Sequence, residues 1–239
     1  MKQEDLHVEK TRTVAVILAG GSGQRAGAGV PKQYLEIAGR MVIERAVDAF
    51  ERHAGVDEIV IVAREGELER TREIVGKNGW RKVTNVVTGG KERRDSCLAA
   101  IRLYDDPGTR LLMHDAARPL VSRRVIDAVL AALDVHEAVA VVVPVVDTVY
   151  RVRDGAVEEV PDRSSLVLAQ TPQAFRLETI REAYARSLAD PSPRVTDDCG
   201  MVRRYLPGTR VHVVPGEAAN MKLTYPLDAS LLERFLDEG

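Results

Sequence analysis

The chain has 239 residues, of which 45% are hydrophobic and 29% charged, and its formal net charge is −2 at pH 7. This length suits one large α/β domain, and the near-neutral charge argues against bulk binding to nucleic acid or to a membrane surface. Two cysteines are too few for a disulfide framework or a zinc site of their own, and they favour a reducing, cytoplasmic location.

Strand-like and helix-like patterns alternate after residues 1–12, which are expected to form a polar tail. Continuous apolar runs predict buried strands, and apolar residues at helical spacing predict amphipathic helices. The predicted strands are Val14–Leu18, Glu58–Ala63, Val83–Val87, Leu111–His114, Ala138–Val143 and Val211–Val214. The predicted helices are Met41–Glu51, Glu65–Lys77, Arg93–Tyr104, one capped by Ser122 that runs to Leu133, Leu177–Ser187, a short one after Thr196, and Leu227–Leu236.

This alternation indicates an α/β fold, with a mainly parallel sheet covered by helices on both faces. Ligands of such sheets bind beyond the carboxyl ends of the strands. The polar segments that follow strands are therefore the candidate site. They are Gly20–Arg25, Gly89–Ser96, Asp115–Arg118 and Asn220–Lys222.

Residues 144–172 interrupt the alternation and are expected to form a protruding arm within a single domain over 1–239. Val145–Arg153 and Ala156–Val160 flank an Asp154-Gly155 turn, which predicts a β-hairpin. The valine and tyrosine side chains of this hairpin need a cover. A partner subunit in a two-fold dimer would supply it, and packing against the chain's own domain is the alternative.

The first predicted strand leads into a glycine-rich loop, which reads L-A-G-G-S-G-Q-R-A-G-A-G-V-P-K-Q over Leu18–Gln33. Glycines let backbone N–H groups approach an anion closely, and the cations Arg25 and Lys32 follow nearby. The loop lacks the Gly-Lys-Ser/Thr ending of a P-loop, and Ala26 stands where a dinucleotide fingerprint has its third glycine. The loop predicts a polyphosphate site, with a tight turn and solvated cations as the alternative.

Two further segments carry candidate binding groups. Gly89–Ser96 could read the edge of a base through backbone groups and a serine hydroxyl, or could be a polar turn only. Asp115 could accept hydrogen bonds from ribose hydroxyls or hold a metal, and Arg118 could clamp a phosphate. An internal ion pair between these two side chains is the alternative. His114 is assigned to its strand rather than to catalysis.

The remaining polar segments are weaker signals on their own. Q-T-P-Q at 170–173, T-D-D at 196–198 and N-M-K-L-T at 220–224 each lie near the end of a predicted element. Taken alone, Thr196 could be a helix cap and Lys222 a solvated surface charge.

Together these motifs resemble those of the 2-C-methyl-D-erythritol 4-phosphate cytidylyltransferase family. The motifs are A-G-G-x-G-x-R-x-G-x-x-x-P-K-Q-Y-L, G-G-x-x-R-x-x-S, H-D-A-A-R-P, Q-T-P-Q-x-F, T-D-D and N-x-K-x-T, and they follow the family's order from Val14 to about Asp228. The resemblance implies a Rossmann-like nucleotidyltransferase domain and a homodimer joined by the hairpin arm. It also implies dependence on Mg²⁺ or another divalent cation, and transfer of a cytidylyl group from CTP to methylerythritol phosphate in non-mevalonate isoprenoid biosynthesis.

The resemblance also implies roles for individual residues. The implied catalytic cations are Arg25, Lys32 and Lys222. The implied CTP-binding residues are Ala19, Gly20, Gly21, Ser22, Gly23, Gly89, Arg93, Ser96, Asp115 and Ala116. The implied sugar-phosphate residues are Arg118, Thr171 and Thr196, joined by Thr148 and Arg163 reaching over from a neighbouring subunit. Mg²⁺ is implied to be held mainly by the CTP phosphates, with Asp115 as the candidate protein ligand.

Two positions depart from the family pattern. Lys91 stands where an acidic residue is frequent, which leaves base selectivity open if this side chain contacts the base. Met41 replaces a proline that is usual at the entry of the following helix. The alternative substrate is ribitol 5-phosphate or another polyol phosphate. A non-catalytic nucleotide-binding module is the remote alternative, and the retained cations argue against it.

Overall fold

The computed structural model describes residues 11–21, 30–191 and 195–237. Its main sheet contains seven strands, which are β1 (Thr13–Ala19), β4 (Glu58–Ala63), β5 (Val83–Thr88), β6 (Arg110–Asp115), β7 (Ala138–Pro144), β10 (Val167–Arg176) and β11 (Val211–Pro215). Two separate hairpins pair β2 (Glu36–Ile37) with β3 (Arg40–Met41), and β8 (Arg151–Arg153) with β9 (Ala156–Glu159). The spatial order of the main sheet is β11-β7-β10-β6-β1-β4-β5, and all its pairings are parallel except those made by β10.

The described residues form seven α-helices. They are α1 (Val42–Glu51), α2 (Leu68–Asn78), α3 (Arg93–Ile101), α4 (Arg123–Val135), α5 (Leu177–Ser187), α6 (Asp198–Tyr205) and α7 (Pro226–Asp237). Single turns of 3-10 helix cover Lys32–Tyr34, Glu65–Glu67 and Arg163–Ser165. Within the described ranges, none of the helices has the length and hydropathy needed to span a membrane.

The core lies on both faces of the sheet, as the alternation of elements predicts. In β1 every residue is buried, and successive side chains point to opposite faces. Ala15 and Ile17 pack with α1 and α4, whereas Val14 and Val16 pack with α3, α5 and α6. The sheet is therefore the middle of three layers, which confirms the predicted fold class.

Strand β10 is missing from the sequence prediction. It runs antiparallel to both neighbours in the middle of the sheet, between β6 and β7. Its pairing with β7 shifts register between Gln170 and Gln173, so Thr171 and Pro172 are left out of that ladder. A proline fits such an irregularity because it has no N–H to donate. The protruding segment therefore ends before Val167 and not at residue 172, and we call residues 145–166 the arm.

The arm contains the predicted hairpin. Asp154 and Gly155 both have positive φ, 50° and 78°, as a two-residue type I′ turn requires. The strands are shorter than predicted, and all seven of their residues are exposed. Packing of the hairpin on its own domain, one of the two alternatives above, is thus not observed in this structure.

Candidate active site

A cleft of about 1160 Å³ opens at the carboxyl ends of β1, β4, β5 and β6. Its lining comes from the residues that follow these four strands, together with Lys32, Gln33, Lys222 and Thr224. This is the edge of a parallel sheet at which ligands are expected to bind. The described part of the chain thus has a large cleft where the polar segments of the sequence converge.

The structure brings many of the predicted site residues together. Those that line the cleft are Gly20, Gly21, Lys32, Gly89, Arg93, Ser96, Asp115, Ala116 and Lys222. Those outside the described residues are Ser22, Gly23 and Arg25. Those that are described but do not line it are Ala19, Arg118, Thr148, Arg163, Thr171 and Thr196. The predicted CTP-binding residues that are described, apart from Ala19, therefore line one cleft, whereas the predicted sugar-phosphate residues lie outside its lining.

The turn between β5 and α3 leaves little room for a side chain at two glycine positions. A Cβ atom at Gly89 would collide with the Ser96 side chain, and one at Gly90 would collide with Asp95. A Cβ at Gly20 would lie 3.2 Å from Ser96 Oγ. The Ser96 hydroxyl is therefore packed between the two glycine segments, at the point where both reach the cleft.

Lys32 belongs to a turn that is tied down on both sides. The neighbouring Gln33 donates from Nε2 to the carbonyl of Ala19 at 2.6 Å and to that of Gly21 at 3.3 Å. On the other side, the Tyr34 hydroxyl lies 2.8 Å from Thr71 Oγ1 on α2. These contacts fix the start of the Lys32 side chain relative to the end of β1. Gln33 has no predicted role, although it lies within the P-K-Q-Y-L motif.

Asp115, the last residue of β6, lies among three cations. Lys222 Nζ donates to its Oδ2 at 2.7 Å, Arg93 Nε lies 3.7 Å from Oδ1, and Arg118 Nε lies 3.8 Å from Oδ2. Burial alone would raise the pKa of Asp115, but these cations hold that pKa well below its ordinary value. Asp115 is therefore a carboxylate at neutral pH, and it draws Lys222 to the cleft.

Arg118 is engaged mainly by backbone carbonyls. Its Nη1 donates to the carbonyl of Asn220 at 2.8 Å, and its Nη2 to that of Ala169 at 3.4 Å. These bonds join the turn after β6 to β10 and to the segment that carries Lys222. The proposed alternative, an ion pair with Asp115, is present only at the longer distance given above. A phosphate contact for Arg118 stays a prediction.

The neighbouring His114 is buried in its strand, as predicted. Its Nε2 lies 3.0 Å from the carbonyl of Arg118, which can only accept, so Nε2 carries the hydrogen. Its Nδ1 then accepts from the Thr171 hydroxyl at 3.0 Å, and Thr171 Oγ1 accepts from the Asp115 N–H at 3.1 Å. The hydroxyl hydrogen of Thr171 is thus used inside the protein, and its contact with a sugar phosphate stays a prediction.

This burial makes stability depend on pH. Burial lowers the pKa of His114 to about 4, from an ordinary value of 6.5. Between these pH values the unfolded chain binds the proton and the folded one does not, so stability falls as the pH falls. We expect the free energy of unfolding to fall by roughly 3 kcal/mol between pH 7 and pH 4 on account of His114, because its imidazole is protonated in the unfolded chain first.

Urea unfolding of the wild type and of His114→Gln at several pH values measures this contribution. Gln cannot titrate, so the stability advantage of the wild type should shrink toward pH 4 by about the amount above. Other titrating groups affect both proteins alike and cancel in the difference. Two curves that stay parallel over this range would contradict the expectation.

Several cleft residues have no predicted role. Arg64–Glu67 follow β4 and line the cleft, and the strand-end rule that identified the other segments applies to them equally. Asp198 lies in the T-D-D motif, where only Thr196 has an implied role. It pairs with Arg93 at the back of the cleft. Asp197, and not Thr196, is the cap of α6, because its carboxylate accepts from the Gly200 N–H at 2.8 Å.

A family model, a curated relative and a solved structure identify the same family. The family model of 2-C-methyl-D-erythritol 4-phosphate cytidylyltransferase matches residues 13–238. A protein of that name from Thermobifida fusca is 44% identical over 237 residues, which cover 96% of this chain and 95% of the relative. The crystal structure of 4-diphosphocytidyl-2C-methyl-D-erythritol synthase from Anaerococcus prevotii superposes with a TM-score of 0.83 at 30% identity, covering 95% of this chain and 99% of that one.

A second kind of relative is also similar. A bifunctional ribulose 5-phosphate reductase/CDP-ribitol pyrophosphorylase from Haemophilus influenzae is 40% identical over 231 residues. The match covers 95% of this chain and 48% of that protein.

Proposed function

This chain belongs to the 2-C-methyl-D-erythritol 4-phosphate cytidylyltransferase family, and we propose that the cleft beyond β1, β4, β5 and β6 is its active site. The protein transfers the cytidylyl group of CTP to 2-C-methyl-D-erythritol 4-phosphate, as part of isoprenoid biosynthesis. The products are 4-diphosphocytidyl-2-C-methyl-D-erythritol and pyrophosphate. The observation that carries the site assignment is the convergence of Lys32, Asp115 and Lys222 on one cleft lined by glycine segments.

The chemistry needs charge stabilisation more than proton transfer. A phosphate monoester has a second pKa near 6, so the sugar phosphate is mostly a dianion at neutral pH and is already a nucleophile. One of its oxygens attacks the α-phosphorus of CTP, and the bond from that phosphorus to the β-phosphate oxygen breaks. The difficulty is that two polyanions must meet, and fixed cations solve it by positioning and by charge stabilisation.

The cations of the cleft suit this task. In our proposal Lys32, and Arg25 from outside the described residues, stabilise the triphosphate and the departing pyrophosphate. The glycine segments and Ser96 bind the rest of CTP, with Asp115 at the ribose. Lys222 approaches from the opposite side of the α-phosphate, and its side chain is 40% exposed and so accessible to a ligand.

A divalent cation fits the same arrangement. Among the residues that the structure describes, no group of three or more His, Cys, Asp and Glu side chains could hold a metal ion. Mg²⁺ is commonly held by one or two carboxylates and substrate phosphates, so Asp115 and the triphosphate form a suitable donor set. Bound there, Mg²⁺ would neutralise part of the phosphate charge and orient the triphosphate.

We further propose that the arm joins two copies of the chain. Val146 and Tyr150 are 77% and 56% exposed in the single chain, and the arm also exposes Val149, Val152, Val157 and Val160. Several exposed apolar side chains on one short segment suggest an interaction surface. A second copy would cover them. Arg163 donates from Nη1 to the carbonyl of Val146 at 2.7 Å. This bond places Arg163 beside the first residues of the arm, close in sequence to Thr148. In the proposed dimer both residues reach the neighbouring cleft.

Arg163→Ala tests this part of the proposal. We expect KM for the sugar phosphate to rise about tenfold or more, because one charge-assisted hydrogen bond to the phosphate is lost, while KM for CTP is unchanged. Steady-state kinetics with each substrate varied in turn measures both constants. Arg153→Ala is the matched control, since Arg153 lies on the same arm and pairs with Glu158 at 3.0 Å. Weaker CTP binding with an unchanged sugar-phosphate KM would contradict the assignment.

The second candidate substrate is ribitol 5-phosphate. The similarity to the CDP-ribitol pyrophosphorylase relative favours it, although that relative is matched over about half of its length. A non-catalytic nucleotide-binding module is disfavoured by the cations that line the cleft.

One assay separates these functions. Pyrophosphate release is measured with CTP and methylerythritol phosphate, ribitol 5-phosphate or no acceptor, each with Mg²⁺ or with excess EDTA. We expect turnover with methylerythritol phosphate and Mg²⁺. Faster turnover with ribitol 5-phosphate would establish the second candidate. If neither acceptor supports pyrophosphate release, both candidate functions are overturned.

We also propose a cytoplasmic location, which the free, buried thiols of Cys97 and Cys199 support.

A further inference from the structure

The carboxylate of Asp198 is buried behind the cleft and fixed at several points. Its side chain is 0% exposed, and its Oδ1 accepts from the Tyr184 hydroxyl at 2.5 Å. Its backbone N–H donates to Gln173 Oε1 at 3.0 Å, and the Cys199 N–H donates to the same oxygen at 3.0 Å. The carboxylate therefore has a set place between α5, α6 and β10.

The same carboxylate holds one end of Arg93. Asp198 Oδ2 lies 2.6 Å from Arg93 Nη2, and Arg93 Nη1 donates to the sulfur of Cys97 at 3.7 Å. The Arg93 Nε, on the other side of the guanidinium, lies 3.7 Å from Asp115 in the cleft. With 29% of its side chain exposed, Arg93 forms part of the cleft lining. One planar group thus connects a buried carboxylate to the cleft.

The charges explain why this arrangement is stable. Burial alone would lower the pKa of Arg93, but Asp198 first, and then Asp115, raise it well above its ordinary value. A buried carboxylate without a partner would be strongly unfavourable, so Asp198 and Arg93 depend on each other. Asp198 balances most of the positive charge of Arg93. Arg93 therefore contributes mainly oriented N–H donors to the cleft, and little additional positive charge.

We propose that Asp198 is a positioning residue, which holds the Arg93 guanidinium at the back of the cleft with its Nε toward Asp115. This inference rests on the proposed function, in which Asp115 marks the ribose side of bound CTP. Arg93 then meets the nucleotide in a single orientation, and binding does not have to order a long flexible side chain. Asp198 itself touches no substrate, and its effect on CTP passes through Arg93.

Two Asp→Asn substitutions, each at an arginine–carboxylate pair, separate positioning from general structural support. Asp198→Asn removes the charge next to Arg93. Asp134→Asn makes the same chemical change at a pair outside the cleft lining, where Asp134 Oδ1 lies 2.7 Å from Arg110 Nη2. We expect the calorimetric Kd for CTP, measured with Mg²⁺, to rise about tenfold for Asp198→Asn and to change by less than about twofold for Asp134→Asn. Equal effects of the two substitutions would overturn the proposal.

A double-mutant cycle tests whether the effect passes through Arg93. In an Arg93→Met background, adding Asp198→Asn should change the Kd for CTP by less than about twofold. An additional loss of about fivefold or more would mean that Asp198 acts by another route. If either single variant fails to fold, Tyr184→Phe serves instead, because it keeps both charges and removes only the Tyr184 hydrogen bond to Asp198 Oδ1. The Arg93 Nη protons should then exchange faster and the Kd for CTP should rise, and no change in either would overturn the proposal.

A nuclear magnetic resonance measurement keeps the test independent of the proposed function. A fixed guanidinium gives slowly exchanging Arg93 Nη protons, which should be visible in the wild type and Asp134→Asn and lost in Asp198→Asn. Their persistence in Asp198→Asn would overturn the positioning role. A wild type that shows these protons but releases no pyrophosphate would instead count against the proposed function alone.

Discussion

Alanine in place of Lys32 is expected to lower kcat by about two orders of magnitude, the scale on which one preorganised charge contact contributes to a transition state. The side chain lines the cleft, and its turn is fixed to the end of β1 through Gln33. During the reaction, charge builds on the departing pyrophosphate, and Lys32 lies on that side in the proposed site. Arg25→Ala is expected to have an effect of the same size, for the same electrostatic reason.

The measurement is kcat from pyrophosphate release at saturating concentrations of both substrates. Lys77→Ala is the matched control, because Lys77 is an exposed lysine in the last turn of α2 and does not line the cleft. Melting temperatures of Lys32→Ala and Lys77→Ala should agree closely with that of the wild type, since each change removes an exposed or partly exposed charge. Near-wild-type turnover by both Lys32→Ala and Arg25→Ala would refute the roles assigned to these cations.

Lys222→Ala is expected to lower kcat/KM for the sugar phosphate by about a hundredfold or more. In this structure the Lys222 ammonium donates to Asp115 Oδ2 at 2.7 Å, and in the proposed complex it faces the α-phosphate. Its loss removes the cation on the acceptor side, where the two polyanions approach each other. It also leaves Asp115 with less positive charge around it, which makes the approach of a phosphate less favourable.

Lys91→Ala distinguishes a specific role of Lys222 from the total charge of the cleft. Lys91 lines the same cleft, in the turn between β5 and α3. If only the number of cations mattered, both substitutions would weaken the enzyme alike. We expect Lys91→Ala to change kcat/KM by less than about fivefold. Lys222→Arg, which keeps the charge but changes its shape, should recover part of the loss. Similar losses from Lys91→Ala and Lys222→Ala would contradict the assignment.

The sequence predicts the parallel strands well and fails at β10, for a physical reason. β1 and β4 are continuous apolar runs because both faces of the sheet cover them. In β10 the buried centre contains Gln170, Thr171 and Gln173, which look like loop residues in a sequence. They are tolerated because tertiary partners satisfy them, as when Gln173 Nε2 donates to Asp197 at 2.6 Å. Such partners cannot be identified from local patterns.

The candidate site likewise has a part that the sequence predicts and a part that depends on tertiary contacts. The strand-end segments are predictable, because the ends of parallel strands meet at one edge of the sheet. The pairing of Arg93 with Asp198 is not, because it joins helices that are far apart in the chain and depends on how α3 and α6 pack. The internal bonds of Arg118 and Thr171 are hidden for the same reason, since polar groups near a site can bind either protein or substrate.

The position of β10 has a consequence for how members of such a family can differ in length. The strand begins where the arm ends, and farther along it Thr171 accepts from the Asp115 N–H. Losing one residue from β10 would exchange the faces of every following side chain and break that bond. The hairpin of β8 and β9 pairs only within itself and its strand residues are exposed, so a change in length there moves no buried side chain. Insertions and deletions can therefore accumulate between β8 and β9, while β10 must keep its number of residues.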